Sequence, residues 1–311
     1  MASPITIPTV EILNAGNAND PGTGGLYGGV AYVYRIGKFE ITVGQYTAFV
    51  NAVAAGQDTY GLRNSENLSR PPNQPASVRW GDAARFANWM HNGQPTGTQN
   101  PSTTEDGSYT LNGANTFQAL SQVNRNAGAT WVIPTENEWY KAAYHHLAAV
   151  GGDSDDYWNY PTQSNNIPYS DQPPGLDAPI QWQTANFYRN DDSPNGYNDG
   201  YAVSGQVLSG GDLTNVGSYT QSRSFYGTFD QGGNIAEWNE AKMDGISRVV
   251  RGGGSGTADR FALAASQRAS YPVDPRVEFG FRVALVPEPS SFVIAALGLI
   301  GLAAWGWRRR R

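Results

Sequence analysis

The stretch Ser291–Trp307 constrains this chain most: it reads SFVIAALGLIGLAAWGW, carries no charge, and runs straight into Arg308–Arg311. An apolar run of that length lies at the short end of the roughly 17–25 residues that span a bilayer. The arginine cluster is a positive-inside stop that places Arg311 in the cytoplasm and the rest of the chain on the other side; Trp305 and Trp307 suit the interface. The alternative is an ordinary buried C-terminal helix, and four adjacent arginines argue against it. An inverted anchor, with the body in the cytoplasm, would put those arginines outside. Just upstream, Val286–Ser291 reads VPEPSS, and two prolines stop a helix from continuing into the body. A body on the far side of a membrane needs an export segment. Met1–Val10 has neither a basic start nor an apolar core, so the expectation is a chain that starts late.

The body is heavily punctuated. Gly (37) and Pro (19) are abundant, and only 15 % of residues are charged, against about 25 % in ordinary soluble domains. With 9 Trp, 17 Tyr and 11 Phe to bury, the pattern predicts a folded, loop-rich domain rather than disorder. The formal net charge is −6 and four positive charges sit in the tail. The body is therefore acidic and lacks a field that would draw a phosphate backbone, so no nucleic-acid partner is expected. There is no cysteine, which excludes disulfides, thiolate-bound zinc, iron–sulfur clusters and thiol nucleophiles.

Local patterns predict short elements. Ala31–Ile36 (AYVYRI) reads as a strand. Thr42 with Gln45 forms a capping box for a helix that turns Val43, Tyr46, Phe49, Val50 and Val53 inward and ends before Gly56. Val78–Trp80 reads as a short strand, and Asp82 as the cap of a helix burying Ala83, Phe86, Ala87 and Met90 and closed by His91-Asn92-Gly93. The polar stretch Gln94–Gly113 is expected on the surface, with Thr104–Leu111 as a hairpin arm. Thr130–Ile133 reads as a strand, followed by a second capping box, Thr135 with Glu138, and an inward face of Trp139, Ala142 and Ala143. Beyond Ala149 about seventy polar, turn-rich residues exceed any ordinary loop. They predict a functional surface or a region clamped by ions. Ser247–Arg251 and Gly280–Ala284 read as strands, and the whole predicts an α+β fold.

Several residues carry chemistry. In GGNIAEW, Gly232 and Gly233 allow close backbone approach, and Asn234 and Glu237 must find partners or an ion if buried. Arg251, Arg260, Arg268, Arg276 and Arg282 are spaced through apolar residues; they read as cross-links between loops, or alternatively as an anion clamp. His91, His145 and His146 make no common site, because adjacent helical residues point about 100° apart. No G-x-S-x-G elbow is present. Glycoside hydrolysis would need facing carboxylates among Glu136, Glu138, Glu237 and Glu240, and Glu138 is better explained as a cap.

Two resemblances follow from these motifs. Pro287-Glu288-Pro289, the apolar helix and the arginine cluster resemble the PEP-CTERM sorting signal of exported bacterial proteins, which implies an exosortase-type partner and a tail that is either retained or processed. In the body, FEITVGQYTAFVNAV, PASVRWGDAARFANW, IPTENEWYKAA, GTFDQGGNIAEWNE and the block from Arg248 to Val283 occur in order. Together they resemble the formylglycine-generating enzyme, or sulfatase-modifying factor, family over about residues 30–285. That resemblance implies a C-type-lectin-like core with long irregular loops and structural calcium. It places the calcium ligands at Asn186, Phe187, Asp199 and Tyr201, the first and third through side chains and the others through carbonyls. Asp191, Asp192 and Asp212 are weaker candidates, and a second site near Ser224–Asp230 is less supported because Ser224 stands where the family often has asparagine.

The family's oxidase uses two cysteines in the region matching Ser255–Ala262, where this chain has Ser255, Thr257 and Asp259. Hard oxygen ligands cannot replace thiolates for Cu(I), so no copper and no formylglycine chemistry are expected. The layout expected is residues 1–29 as an N-terminal extension, 30–285 as the domain, and 286–311 as spacer, membrane helix and arginine cluster. The function expected is a non-catalytic, calcium-stabilised domain at the bacterial cell envelope that binds a peptide, a protein or matrix polysaccharide, with Trp158, Tyr160, Tyr169, Trp182 and Tyr188 as stacking faces. The alternatives are a metal-dependent oxidoreductase related to formylglycine-generating enzyme or to the iron-dependent sulfoxide synthases, and an architectural surface protein.

Overall fold

Two capping boxes set the helices on which the core is built. Thr42 accepts from the Gln45 amide while the Gln45 side chain accepts from the Thr42 amide, opening α1 (Val43–Val53). Thr135 and Glu138 repeat the motif at α4 (Glu136–Tyr144). Both helices bury the residues predicted for them. The computed structural model describes residues 4–64, 69–203, 212–256, 260–273 and 279–287. The membrane helix expected at Ser291–Trp307 lies outside the described residues; among those, no helix is long and apolar enough to cross a membrane.

Between these two helices lie α2 (Trp80–His91) and α3 (Phe117–Gln122). The strands are β1 (Thr9–Ile12), β2 (Tyr34–Gly37), β3 (Trp131–Val132), β4 (Tyr169–Ser170), β5 (Thr184–Ala185), β6 (Tyr188–Asn190), β7 (Asp199–Tyr201), β8 (Glu237–Met243), β9 (Ser247–Arg251), β10 (Ala269–Pro272) and β11 (Ala284–Leu285). One sheet runs β1-β2-β11-β3 and a second β10-β9-β8, both antiparallel. The result is a mixed helix-and-sheet fold with long connections. The core joins α1 to α2 through Phe49, Phe86 and Trp89, whose ring centroids lie 5.3–5.7 Å apart, and reaches Phe281 beside β11. Full burial of each such ring contributes roughly 1.5–3 kcal/mol.

Several predictions need correction, among them the strand at Gly280–Ala284: only Ala284–Leu285 pairs, as β11, and Gly280 makes a single bridge to Glu237. The strand predicted at Ala31–Ile36 starts at Tyr34, because its partner β1 ends at Ile12 before Asn14 turns to a φ of 60°. Val78–Trp80 is not a strand: Val78 makes a single bridge to Phe279, and Trp80 already begins α2. Asp82 does not cap that helix. Arg79 holds the cap position, and Asp82, one turn inside, takes Arg79 Nε and Nη2 at 2.6 and 2.9 Å. Gln94–Gly113 is not a surface excursion, since Thr103, Thr104, Glu105, Ser108, Tyr109 and Leu111 are buried. The cause lies on α2. Buried Arg85 needs Glu105, bound at 2.8 and 3.1 Å, and buried Asn88 donates to the carbonyls of Thr104 and Tyr109. The hairpin arm reduces to one bridge, Tyr109 to Arg125.

Candidate functional site

Strand β8 and the GGNIAEW segment leading into it organise the site. Gly233 has a φ of +92°, and a Cβ there would stand 2.6 Å from the Asn186 carbonyl. Gly252 has a φ of +95°, and its Cβ would meet the Gln231 carbonyl at 2.8 Å. These close approaches let the Gly233 amide donate to the Gly252 carbonyl at 2.8 Å, and the Ser255 amide to the Asn234 carbonyl at 2.8 Å. Only glycine takes such positions without strain.

Asn234 and Glu237 find protein partners. Asn234 Nδ2 donates to Glu40 Oε1 at 3.0 Å, and its Oδ1 accepts from the Thr214 amide at 3.0 Å and Asn186 Nδ2 at 3.2 Å. Glu237 holds Arg282 through Nε at 2.7 Å and Nη2 at 2.5 Å, and also accepts from Trp139 Nε1 at 2.8 Å. Arg282 goes on to the carbonyls of Gly37 and Phe229 at 2.9 and 3.0 Å, tying β2 to the loop before β8. Glu237 and Arg282 are both fully buried.

Two further carboxyls face this pair. Burial, then the nearby charges of Asp230 and Glu237, push Glu40 well above the usual carboxylate range. Burial likewise pushes Asp230 up to about 6, against the Gly217 amide and Arg282, which favour its charged form. Asp230 keeps a little exposed area, but the dense protein around it governs its titration. Glu40 Oε2 is buried with no hydrogen-bond donor facing it among the described residues, and only a proton on one of the two carboxyls lets Glu40 and Asp230 bond to each other. Three carboxyls against one guanidinium hold at least one proton near neutrality. Neither Glu40 nor Asp230 was singled out from sequence. The signal available was an acidic residue inside each of two motif blocks, next to the hydrophobic Phe39 and Phe229.

The arginines behave as the predicted cross-links where they are described. Arg251 meets Glu136 Oε1 through Nε at 2.8 Å and donates from Nη1 to the carbonyls of Ala265 and Gln267 at 3.0 and 2.7 Å. Arg268 takes the other Glu136 oxygen at 2.7 Å. Glu136 sits in the first turn of α4, where the helix dipole also favours its charge. The side chain of Arg260, and Arg276, Thr257 and Asp259, lie outside what is described. Arg248 was missed: it donates to the carbonyls of Glu240, Val123 and Leu120 and lies 3.8 Å over the Trp80 ring. A charged residue between apolar neighbours in Ser247–Arg251 was its only trace.

Beside Arg251 and Arg268 opens a cleft of about 280 Å³, lined also by Gly253, Ala262, Gln267, Tyr271 and Phe279. Ser255, two residues after the lining residue Gly253, is itself buried. Two guanidinium groups share one carboxylate there, and Tyr271 and Phe279 supply a wall of rings 4.6 Å apart. Such a cleft can bind; it offers no thiol.

The three histidines are locally bonded. His145 is buried, its ring nitrogens 2.8 Å from the Tyr226 hydroxyl and 3.2 Å from Asn14 Nδ2, and burial lowers its pKa to about 4, so it is neutral. His146 Nδ1 accepts from Trp158 Nε1 at 3.1 Å, and His91 meets Thr130.

The residues expected to hold calcium lie along the β6–β7 hairpin. Asn186 is buried beside Asn234, and its Oδ1 has no hydrogen-bond partner among the described residues. The carbonyls of Phe187 and Gly200 converge on Ser170 Oγ at 2.6 and 3.0 Å, and one hydroxyl proton cannot serve both fully. Tyr201 pairs with Tyr188 at the same end. Asp199 instead faces Asn190 in register, four residues or about 13 Å of strand from Asn186. Its carboxylate accepts from the amides of Gly196 and Asn195 at 2.9 and 3.3 Å. The oxygen-only donors and the orphaned Asn186 Oδ1 suit a hard cation. Asp199 would join them only by leaving its two turn amides. Ser224, at the second site considered, spends its hydroxyl on Thr228 Oγ1 at 2.6 Å.

No curated protein sequence matches the chain. Among solved structures, that of CarF is similar with a TM-score of 0.51 and 17 % identity, covering 91 % of this chain and 99 % of that one. PvdO from Pseudomonas aeruginosa is similar at a TM-score of 0.45 and 17 % identity, covering 83 % and 82 %. At such identity the CarF likeness speaks for the fold alone. Residues 285–311 match the PEP-CTERM protein-sorting motif, which goes with exosortase-type sorting and export to the bacterial cell envelope. Residues 30–286 match the model of the sulfatase-modifying factor enzyme 1-like domain, and the chain belongs to that family.

Proposed function

We propose that this protein is a catalytically silent member of its family, a surface domain that binds a peptide, a protein or matrix polysaccharide. The observation that carries this reading is the absence of cysteine from the sequence beside a family match over residues 30–286. Formylglycine formation needs sulfur to bind a soft metal and to engage a substrate thiol, and serine does neither. What remains is a cleft lined by Gly253 and Ala262, with one excess positive charge and an aromatic wall, a chemistry of recognition. In this reading a C-type-lectin-like core carries the long loops. Calcium is held at the β6–β7 hairpin by Asn186 and the carbonyls of Phe187 and Tyr201, with Asp199 recruited on binding. When bound, calcium would neutralise crowded oxygens and stiffen the hairpin. The tail anchors the domain until it is processed.

The test is direct. Purified protein is incubated with a cysteine-containing sulfatase peptide, copper and oxygen, and the peptide is weighed by mass spectrometry. Unmodified cysteine is expected. Formylglycine in the product would defeat the reading.

A further inference from the structure

The rings singled out from sequence as stacking faces have different fates in the fold. Tyr160 is buried at 4 % exposure, Trp158 is bonded to His146, and Tyr169 and Tyr188 pack edge-on against Tyr197 and Tyr201. Trp182 is different: at 55 % exposure it is the one exposed tryptophan among the described residues. A large apolar ring left in water on a rigid edge marks a contact surface when polar groups surround it.

Trp182 lines an open cleft of about 500 Å³ that shares no lining residue with the cleft at Arg251 and Arg268. Its neighbours are Lys38, Arg223, Gln221, Thr220 and Tyr226. Two are cations and none is an acid, on a chain whose net charge is −6. Neither cation forms an ion pair among the described residues. The Lys38 ammonium is held 5.3 and 5.2 Å from the centroids of Phe39 and Phe229, which fixes its position without cancelling its charge. The backbone is fixed as well. The Phe229 amide donates to the Lys38 carbonyl at 2.9 Å, and Gln163 Nε2 to the Arg223 carbonyl at 3.0 Å. The site is thus a flat ring, a positioned ammonium, a second cation on an anchored backbone, and exposed hydroxyl and amide groups, with no deep apolar pocket for a side-chain anchor.

We propose that the Trp182 cleft binds an acidic polysaccharide, with a uronic acid ring stacked on Trp182 and carboxylates on Lys38 and Arg223. The apolar C–H face of a sugar covers an indole, whereas its hydroxyls reach Gln221 and Thr220. An acidic peptide would use the charges but leave the ring and the polar rim without matched partners. This assignment rests on the binding reading above and narrows it to one ligand class and one place.

The test uses the full-length chain in detergent and a hexamer of galacturonic acid, with a neutral glucose hexamer, an oligoglutamate and a thymidine oligonucleotide as comparisons. Titration by calorimetry is expected to show binding of the galacturonate alone. Trp182→Ala and Arg223→Gln are each expected to weaken it by about tenfold or more, Trp182→Phe to retain most of it, and added salt to weaken it. Equal binding of the neutral hexamer, or tighter binding of oligoglutamate or oligonucleotide, would overturn the ligand class. Unchanged affinity in Trp182→Ala, or loss in Tyr271→Ala instead, would overturn the site and leave the binding reading standing. Formylglycine production would remove that reading whatever the titrations show.

Discussion

The carboxyls around Arg282 make a prediction about pH that the rest of the chain does not. Asp230 is pushed up to about 6 from an ordinary 3.8, chiefly by burial. Between those values the folded protein binds a proton that the unfolded chain has released, so its stability is full below about pH 4 and falls as pH rises through 6. At about 1.36 kcal/mol per pH unit the loss amounts to roughly 3 kcal/mol. Asp230→Asn removes this titration. Asparagine tolerates the φ of 60° that Asp230 adopts and keeps an oxygen for the Gly217 amide, 2.6 Å away. It also lifts one of the charges that raise Glu40. Urea unfolding of both proteins between pH 4 and 7.5 gives the comparison. Carboxylates held low, such as Glu138 beside Arg125, add the opposite slope to both curves and cancel in the difference. The variant is expected to gain about 3 kcal/mol on the wild type from pH 4 to pH 7. Parallel curves would show that Asp230 carries its charge at no cost, and the proton shared around Arg282 would have to be abandoned.

Three further expectations follow. Glu136→Gln leaves Arg251, which is fully buried, without its counter-ion; a loss of about 3–5 kcal/mol in urea unfolding is expected, and a change below about 1 kcal/mol would mean that carbonyls alone suffice. Removing calcium by chelation is expected to lower the melting temperature, by the equivalent of about 2.7 kcal/mol for an ion present at a hundred times its dissociation constant; an unmoved transition with no metal in the protein rules the ion out. Replacing Arg308–Arg311 with neutral residues is expected to disturb membrane retention or orientation in fractionated cells, and unaltered localisation and processing would count against the anchor.

What could be read from sequence was local and periodic. Thr42 with Gln45 and Thr135 with Glu138 specify their helices through bonds three residues apart, and the structure repeats them bond for bond. Ser247–Arg251 was legible because β-branched residues in a short run have few other uses. The largest miss involves partners distant in sequence. Nothing near Thr103–Tyr109 announces burial; that follows from Arg85, about twenty residues earlier, reaching Glu105. Asp82 looked like a cap because Asp favours caps, but the Arg79 guanidinium beside it offered a stronger bond. The cleft shows the same division. Its arginines were visible as a spaced series, whereas Glu136, which joins two of them, was weighed only as a possible acid.

These long-range arginine bonds also explain how a chain so rich in glycine and proline holds a single shape without disulfides. Each disulfide in a small domain restrains the unfolded chain by about 2–4 kcal/mol; this chain has none. Its substitutes are guanidinium groups with several bonds each. Arg282 joins β2, Phe229 and β8; Arg251 joins α4 to Ala265 and Gln267; Arg85 joins α2 to Glu105 and the Ala114 carbonyl. A planar five-donor fork suits this task as lysine would not. Such staples differ from disulfides in one respect: they contain no bond that a reductant can cleave. The scaffold is therefore indifferent to reductants.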